Sequence, residues 1–593
     1  MKKRSLIRFV TVGLFVSLVV GFGCAPTARA QAATCQVAID SGIVAGAQVG
    51  NSCVYKGIPY AGSPAGAGRW RPPAPVVPWS GVRSATKFGN ICPQLQGTIA
   101  VGNEDCLNLN IFAPNGATAL PVILFIHGGG NRAASNRAEG GTSLDGPYLA
   151  EHGSAVVVVI NFRLGALGWL AHSSLDAESA AAGGTGTSGN YGLLDQIAAL
   201  HWVQRNIAAF CGDPSRVMIT GHSAGALSVS VLLASELAHG LFSAALIDAG
   251  GNFGLTTTLA NYETELGSYV VEPLGCANVA DVPACLRAVP SATIVKTAPG
   301  LLSLREPTYR PIIDGIVLTE NPLQTAKEGA HNHVPLVIGG GDRESAAPVF
   351  IPLSADPDDT AYKADVYALW GQTVGDQVLA VYPSSSYPTP RDAFIEATTD
   401  YRWLCPARRF ARAVSNSQKE PVYRFVFTHA QSGPSVATAQ GAWHGEELMF
   451  IFRSFMSGVF GPFTPTVDEL TLSDQMIGYW TRFAATGDPN GADAPLPWFV
   501  YGQNADNDGQ DHIFFATDAQ GEAKLEPFLQ LETPLAEGAG FHFDVCENFW
   551  DQLAGDTNNG HAVGSDGSAG LMLENAGNEK FLTDADLDND DKP

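Results

Sequence analysis

Four short runs in this chain are apolar at every position: Val122–Ile126, Ala155–Ile160, Val217–Ile219 and Pro335–Ile338. They lead into His127-Gly128-Gly129-Gly130, Asn161, Gly221 and the glycines 339–341. A strand with one face in water alternates apolar and polar residues. Runs without alternation suit strands covered on both faces, within a parallel sheet. Between the second and third runs, Leu193, Ile197 and Leu200 recur at helical spacing, with Leu194 and Val203 alongside. Asp213-Pro214 then reads as a break before the third run. Strands alternating with helices predict an α/β layered fold.

The 593 residues, 45% hydrophobic and 16% charged, are enough to bury a large core. The formal net charge of -24 gives a surface that repels nucleic acid and anionic lipid headgroups, so neither is expected as a partner. Lys2, Lys3 and Arg4 precede an apolar stretch from Phe9 to Phe22, and Ala28-Arg29-Ala30 stands before Gln31. That pattern predicts a cleaved export leader over residues 1–30, with no membrane span left afterwards. One α/β domain is expected over residues 31–555. From 556 to 593 the chain is rich in Gly, Asn and Asp and is expected to be a flexible acidic tail. Its alternating aspartates lack the mid-loop glycine and distal glutamate of a calcium loop.

Export leads to an oxidising compartment, secreted or periplasmic, where cysteines pair. Without Cys24, nine cysteines remain, and an odd count leaves one over. Cys92 with Cys106, and Cys276 with Cys285, stand close enough in sequence to close short loops.

Gly221-His222-Ser223-Ala224-Gly225 fits G-x-S-x-G, following an apolar run and preceding a helical stretch. In that context it predicts a strand-turn-helix elbow that lifts a serine hydroxyl to the top of a sheet. The N–H groups of the glycine loop after Ile126, with that of Ala224, can bind an oxyanion. A serine nucleophile needs a base, and the base needs an orienting carboxylate. His444, between Gly441 and Gly445, has the setting of a closely placed imidazole. Asp342 and Glu344 both follow the fourth apolar run, and the pattern alone fits either as the acid. The segment Asn131–Gly141, small residues and arginines, reads as a solvated loop.

Ordered blocks add to these residues: Lys56–Ala61, Glu104–Asn110, Asn161–Gly165 and Gly189–Gln196. Together they resemble the type-B carboxylesterase family, which includes the cholinesterases and some fungal lipases. The likeness runs from about residue 31 to about residue 553. It implies an α/β-hydrolase fold with a central, mostly parallel sheet, and an exported serine carboxylesterase acting on small-molecule esters through an acyl-enzyme. Neither metal nor organic cofactor is implied. The resemblance implies Ser223, Glu344 and His444 as catalytic residues, and Gly129, Gly130 and Ala224 as the oxyanion hole. It implies disulfides Cys92–Cys106, Cys276–Cys285 and Cys405–Cys546, with Cys35–Cys53 a further candidate pair and Cys211 the odd thiol.

Two departures stand out. His222 precedes the nucleophile where many relatives carry glutamate, and its side chain is expected to point away from Ser223. The stretch between Cys92 and Cys106 holds no aromatic residue, which argues against choline esters. That stretch is also short and polar for a lipase lid. A lipase acting on long-chain esters and a non-catalytic binding protein are the two rival readings.

Overall fold

The computed structural model describes residues 35–250, 257–300, 308–351, 358–432, 440–455, 463–502, 515–517 and 523–554. The expected leader (1–30) and tail (556–593) lie outside them.

An eleven-stranded sheet organises the molecule. Its strands are β1 (Ala47–Val49), β2 (Ser52–Pro59), β3 (Asn108–Pro114), β4 (Leu120–Ile126), β5 (Val156–Ile160) and β6 (Gly212–His222). They continue with β7 (Ala244–Asp248), β8 (Leu336–Gly341), β9 (Val422–Phe427), β10 (Pro527–Leu531) and β11 (Ala536–Ala539). Their order in space is β11-β10-β9-β8-β7-β6-β4-β5-β3-β2-β1. Every pair from β10 across to β5 is parallel. The pairs β5–β3, β3–β2, β2–β1 and β10–β11 are antiparallel.

The four apolar runs are central strands, and the reason is visible in β4. Val122, Leu124 and Ile126 point into one core, while Ile123 and Phe125 point into the other. The first core packs helix α1 (Tyr191–Asn206) through Leu193, Ile197 and Leu200. The second packs a long helix, Val467–Thr486, through Met476, Ile477 and Trp480. With both faces covered, no position in such a strand can be polar without a buried partner.

Asp213-Pro214 does not end the strand. Pairing begins at Gly212 opposite Leu120, shifts register, and resumes at Val217 opposite Val122, so the proline sits in an irregularity that donates no ladder bond. Two of the sequence blocks meet in a buried ion pair. Arg163 Nη2 and Nε reach Asp195 Oδ1 and Oδ2 at 2.7 and 2.8 Å. That fork ties the end of β5 to α1.

The disulfides are Cys35–Cys53, Cys92–Cys106, Cys276–Cys285 and Cys405–Cys546. Cys211 departs from expectation. It is disulfide-bonded, and among the described residues no cysteine is free. Among the described residues, no helix is long and apolar enough to cross a membrane.

Candidate active site

All the singled-out residues lie past the C-terminal ends of parallel strands, the edge where open α/β sheets bind ligands. Ser223 follows β6 directly and opens helix α2 (Ala224–Ala234). Its backbone is held at φ 57°, ψ -121°, a conformation that L side chains rarely adopt. Its N–H donates to the carbonyl of Asp248 at the end of β7, at 3.0 Å. The glycines on either side are required by contact. A Cβ on Gly221 would lie 2.4 Å from Gly225, and one on Gly225 would lie 2.0 Å from the Ile126 carbonyl oxygen. Strand, helix and β4 therefore cross at backbone distance, and the turn leaves Ser223 half-buried, open to a substrate.

The loop after β4 packs against this elbow. A Cβ on Gly128 would come within 2.7 Å of the Ser223 Cβ. Gly129 and Gly130 follow at φ 85° and 61°, which turns the backbone under the serine. The N–H of Gly128 is already used, donating to Glu139 Oε2 at 2.8 Å. Ala224 begins the helix, so its N–H is one of the four that α2 leaves without an internal partner.

Glu344 lies three residues beyond β8 and is fully buried. Its Oε1 accepts the Gly341 N–H at 2.5 Å, and its Oε2 accepts a hydrogen bond from His444 Nδ1. His444 Nε2 is buried and makes no hydrogen bond among the described residues. The two loops are pressed together: a Cβ on Gly341 would meet the Ala442 carbonyl oxygen at 2.5 Å. Arg343 locks them, donating to the Gln440 carbonyl at 2.9 Å and to Asp392 at 2.5 Å. Phe350 and Trp403 wall the imidazole, with ring centroids 5.2 and 5.7 Å away.

Asp342 and Glu344, equal on sequence pattern, are separated here. Glu344 holds His444, whereas Asp342 Oδ1 is buried without a hydrogen-bond partner among the described residues. Burial pushes Asp342 up to about 6. Burial pushes Glu344 up to about 7, against the lowering effect of the His222 charge and the Gly341 N–H. Burial, then the positive charge of His222, holds His444 well below the ordinary histidine value. As pH falls, the first proton to enter this buried pair removes either the base or its orienting charge. Any reaction that uses the pair therefore loses kcat/KM as pH drops through about 7. A kcat/KM profile on a neutral substrate checks this, and a flat line from pH 8 to pH 5 would contradict it.

Three buried acids near the elbow escaped sequence reasoning. Glu139 sits in the segment read as a solvated loop, yet Asn131, Asn136 and Glu139 are buried there. Glu447 opens helix α3 (Glu446–Ile451) just after His444 and is 0% exposed. Asp248 is buried beneath the elbow, where burial and the charge of Glu447 raise it well above the ordinary carboxylate range. Glu139 and Glu447 both face His222. Its Nδ1 lies 2.6 Å from Glu139 Oε1 and its Nε2 lies 3.2 Å from Glu447 Oε1. Both ring nitrogens are turned to these acids, Nδ1 in a hydrogen bond and Nε2 at ion-pair distance without one. The Cys92–Cys106 loop is a small hairpin, Gln94–Gln96 against Ile99–Val101, and its Gln94 Nε2 donates to the Ala134 carbonyl at 2.9 Å.

Comparison with known proteins bears on the family and the fold. The carboxylesterase family model matches residues 33–521. Para-nitrobenzyl esterase of Bacillus subtilis (strain 168) is 33% identical over 74% of this chain and 86% of its own length. Neuroligin-3 of Mus musculus is 30% identical over 75% of this chain, but the match spans only 59% of that protein. A solved structure of PNB esterase superposes with a TM-score of 0.69 at 29% identity, covering 86% of this chain and 98% of that one. The sheet order, the serine elbow and these matches agree: the chain has the α/β-hydrolase fold and belongs to the carboxylesterase family.

Proposed function

We propose that this chain is an exported serine carboxylesterase that hydrolyses small-molecule carboxylic esters through an acyl-enzyme. The observation that carries the reading is the hydrogen-bonded Glu344–His444 pair, its imidazole 4.4 Å from the ring of His222, the residue before a half-buried serine on a strained turn. The esterases among its relatives support the same reaction class.

Ser223 Oγ attacks the ester carbonyl carbon while His444 Nε2 takes the hydroxyl proton. Glu344 accepts from His444 Nδ1 and so keeps Nε2 free of a proton until that moment. The carbonyl oxygen becomes an oxyanion, to which the N–H groups of Gly129, Gly130 and Ala224 donate. The alcohol departs with the proton from His444, leaving Ser223 acylated. Water repeats the route and releases the acid. No step of this sequence uses a metal or an organic cofactor. Disulfides distributed along the domain support an oxidising destination, secreted or periplasmic.

The test is hydrolysis of p-nitrophenyl esters from acetate to palmitate by the purified protein. Fast cleavage of short acyl chains is expected. Cleavage of long chains alone would make it a lipase, and a folded protein inactive on every chain length would make it a binding protein.

A further inference from the structure

His222 is 2% exposed, and both of its ring nitrogens face carboxylates that are themselves buried. The Nδ1 contact with Glu139 is a hydrogen bond, whereas Nε2 and the Glu447 carboxylate, 3.2 Å apart, are not aligned for one and attract each other only if the imidazole is charged. Glu139 also accepts the Gly128 N–H, so this acid–imidazole–acid chain joins the glycine loop, the elbow and the helix after His444. The His222 and His444 rings lie 4.4 Å apart between centroids. Gly445 makes the approach possible, since a Cβ there would sit 3.3 Å from His222 Cε1 on a backbone at φ 87°.

We propose that His222 is a positioning residue for the His444–Glu344 pair: clamped as an imidazolium between Glu139 and Glu447, it braces the His444 ring and sets the pH at which the pair takes up a proton. The inference rests on the reading of that pair as the base and acid of an esterase.

The surrounding charges fit. Burial alone would neutralise His222, but Glu139 and then Glu447 hold it well above the ordinary histidine value. Glu139 is lowered, against burial, by the same contact. His127, the other imidazole near Glu139, is kept low by burial. Asp248, at the end of β7, is raised by burial and by the charge of Glu447. Glu446 is raised by burial too, and spends its oxygens on the N–H groups of Gln431 and Trp443. That leaves a His222 cation acting on both Glu344 and His444, and lowering both. Arg402 adds to the effect on His444, while the charges of Glu447 and Glu139 oppose it. A glutamate at position 222 would stand against two further carboxylates, so the histidine and its two acids form one matched set.

The test is the acidic limb of kcat/KM on p-nitrophenyl acetate, for wild type, His222→Gln and Glu447→Gln. His222→Gln removes a cation and is expected to move the limb up by about one pH unit. In Glu447→Gln, Glu139 still holds His222 as a cation, so the loss of the anion that opposes it at His444 is expected to move the limb down. A purely structural role would lower kcat in both variants without shifting the limbs in opposite directions. Unmoved limbs, or shifts in the same direction, would overturn the proposal. Should His222→Gln fail to fold, His222→Asn replaces it, and a limb that does not move up in that variant overturns the proposal. A wild type with no turnover would instead count against the esterase reading, and is thereby distinguished.

Discussion

Ser223→Ala is expected to lower kcat on short-chain p-nitrophenyl esters by roughly 10⁴–10⁶-fold, with the fold unchanged. The size follows from what the hydroxyl does: without it no acyl-enzyme forms, and what remains is substrate binding and the oxyanion donors. The fold survives because the strained backbone at φ 57° is fixed by its surroundings rather than by the hydroxyl. The Ser223 N–H to Asp248 bond and the Gly221–Gly225 contact do not involve Oγ, and alanine carries the same Cβ. Melting temperature and kcat, measured together, check both halves. Turnover near the wild-type rate would remove Ser223 from the reaction.

Glu344→Gln comes next, with an expected loss of roughly 10³–10⁴-fold in kcat. The amide oxygen can still accept the Gly341 N–H, which leaves the amide NH₂ facing His444 Nδ1. The imidazole then carries its proton on Nε2, the nitrogen that has to accept one from Ser223. Asp342→Asn is the control. Asp342 makes no hydrogen bond with His444 among the described residues, so kcat in this variant is expected to stay within about threefold of wild type. The opposite order of effects would transfer the orienting role to Asp342.

The parts of this molecule that could be read from sequence are those where one local requirement leaves one solution. Fully apolar runs such as Val122–Ile126 are central strands because both faces are covered. Gly221 and Gly225 are legible because the elbow admits no Cβ there. Glu344 was ambiguous with Asp342 until the family resemblance chose it. Their difference lies in which carboxylate the His444 loop meets, a contact 100 residues apart in sequence. Glu139 was not legible at all. Its segment is polar and small, the pattern of a loop in water, and only the fold brings it under the elbow, 83 residues from His222. Glu447 was visible beside His444, but nothing local says that its side chain reaches back to position 222. His222 was noticed as a departure, and the two acids that give the departure its meaning come from elsewhere in the chain. Asp213-Pro214 misled for a related reason: proline at an irregularity near a strand's beginning does not interrupt the core of the strand.

The central claim is that Ser223 is the residue acylated during turnover. The direct measurement is covalent trapping with diethyl p-nitrophenyl phosphate, whose phosphorus accepts the attacking hydroxyl and releases p-nitrophenolate. One adduct per chain, located by peptide mass spectrometry on Ser223 and formed in step with loss of esterase activity, is the predicted result. Loss of activity with the adduct on another residue, or no adduct on a folded protein, would contradict it.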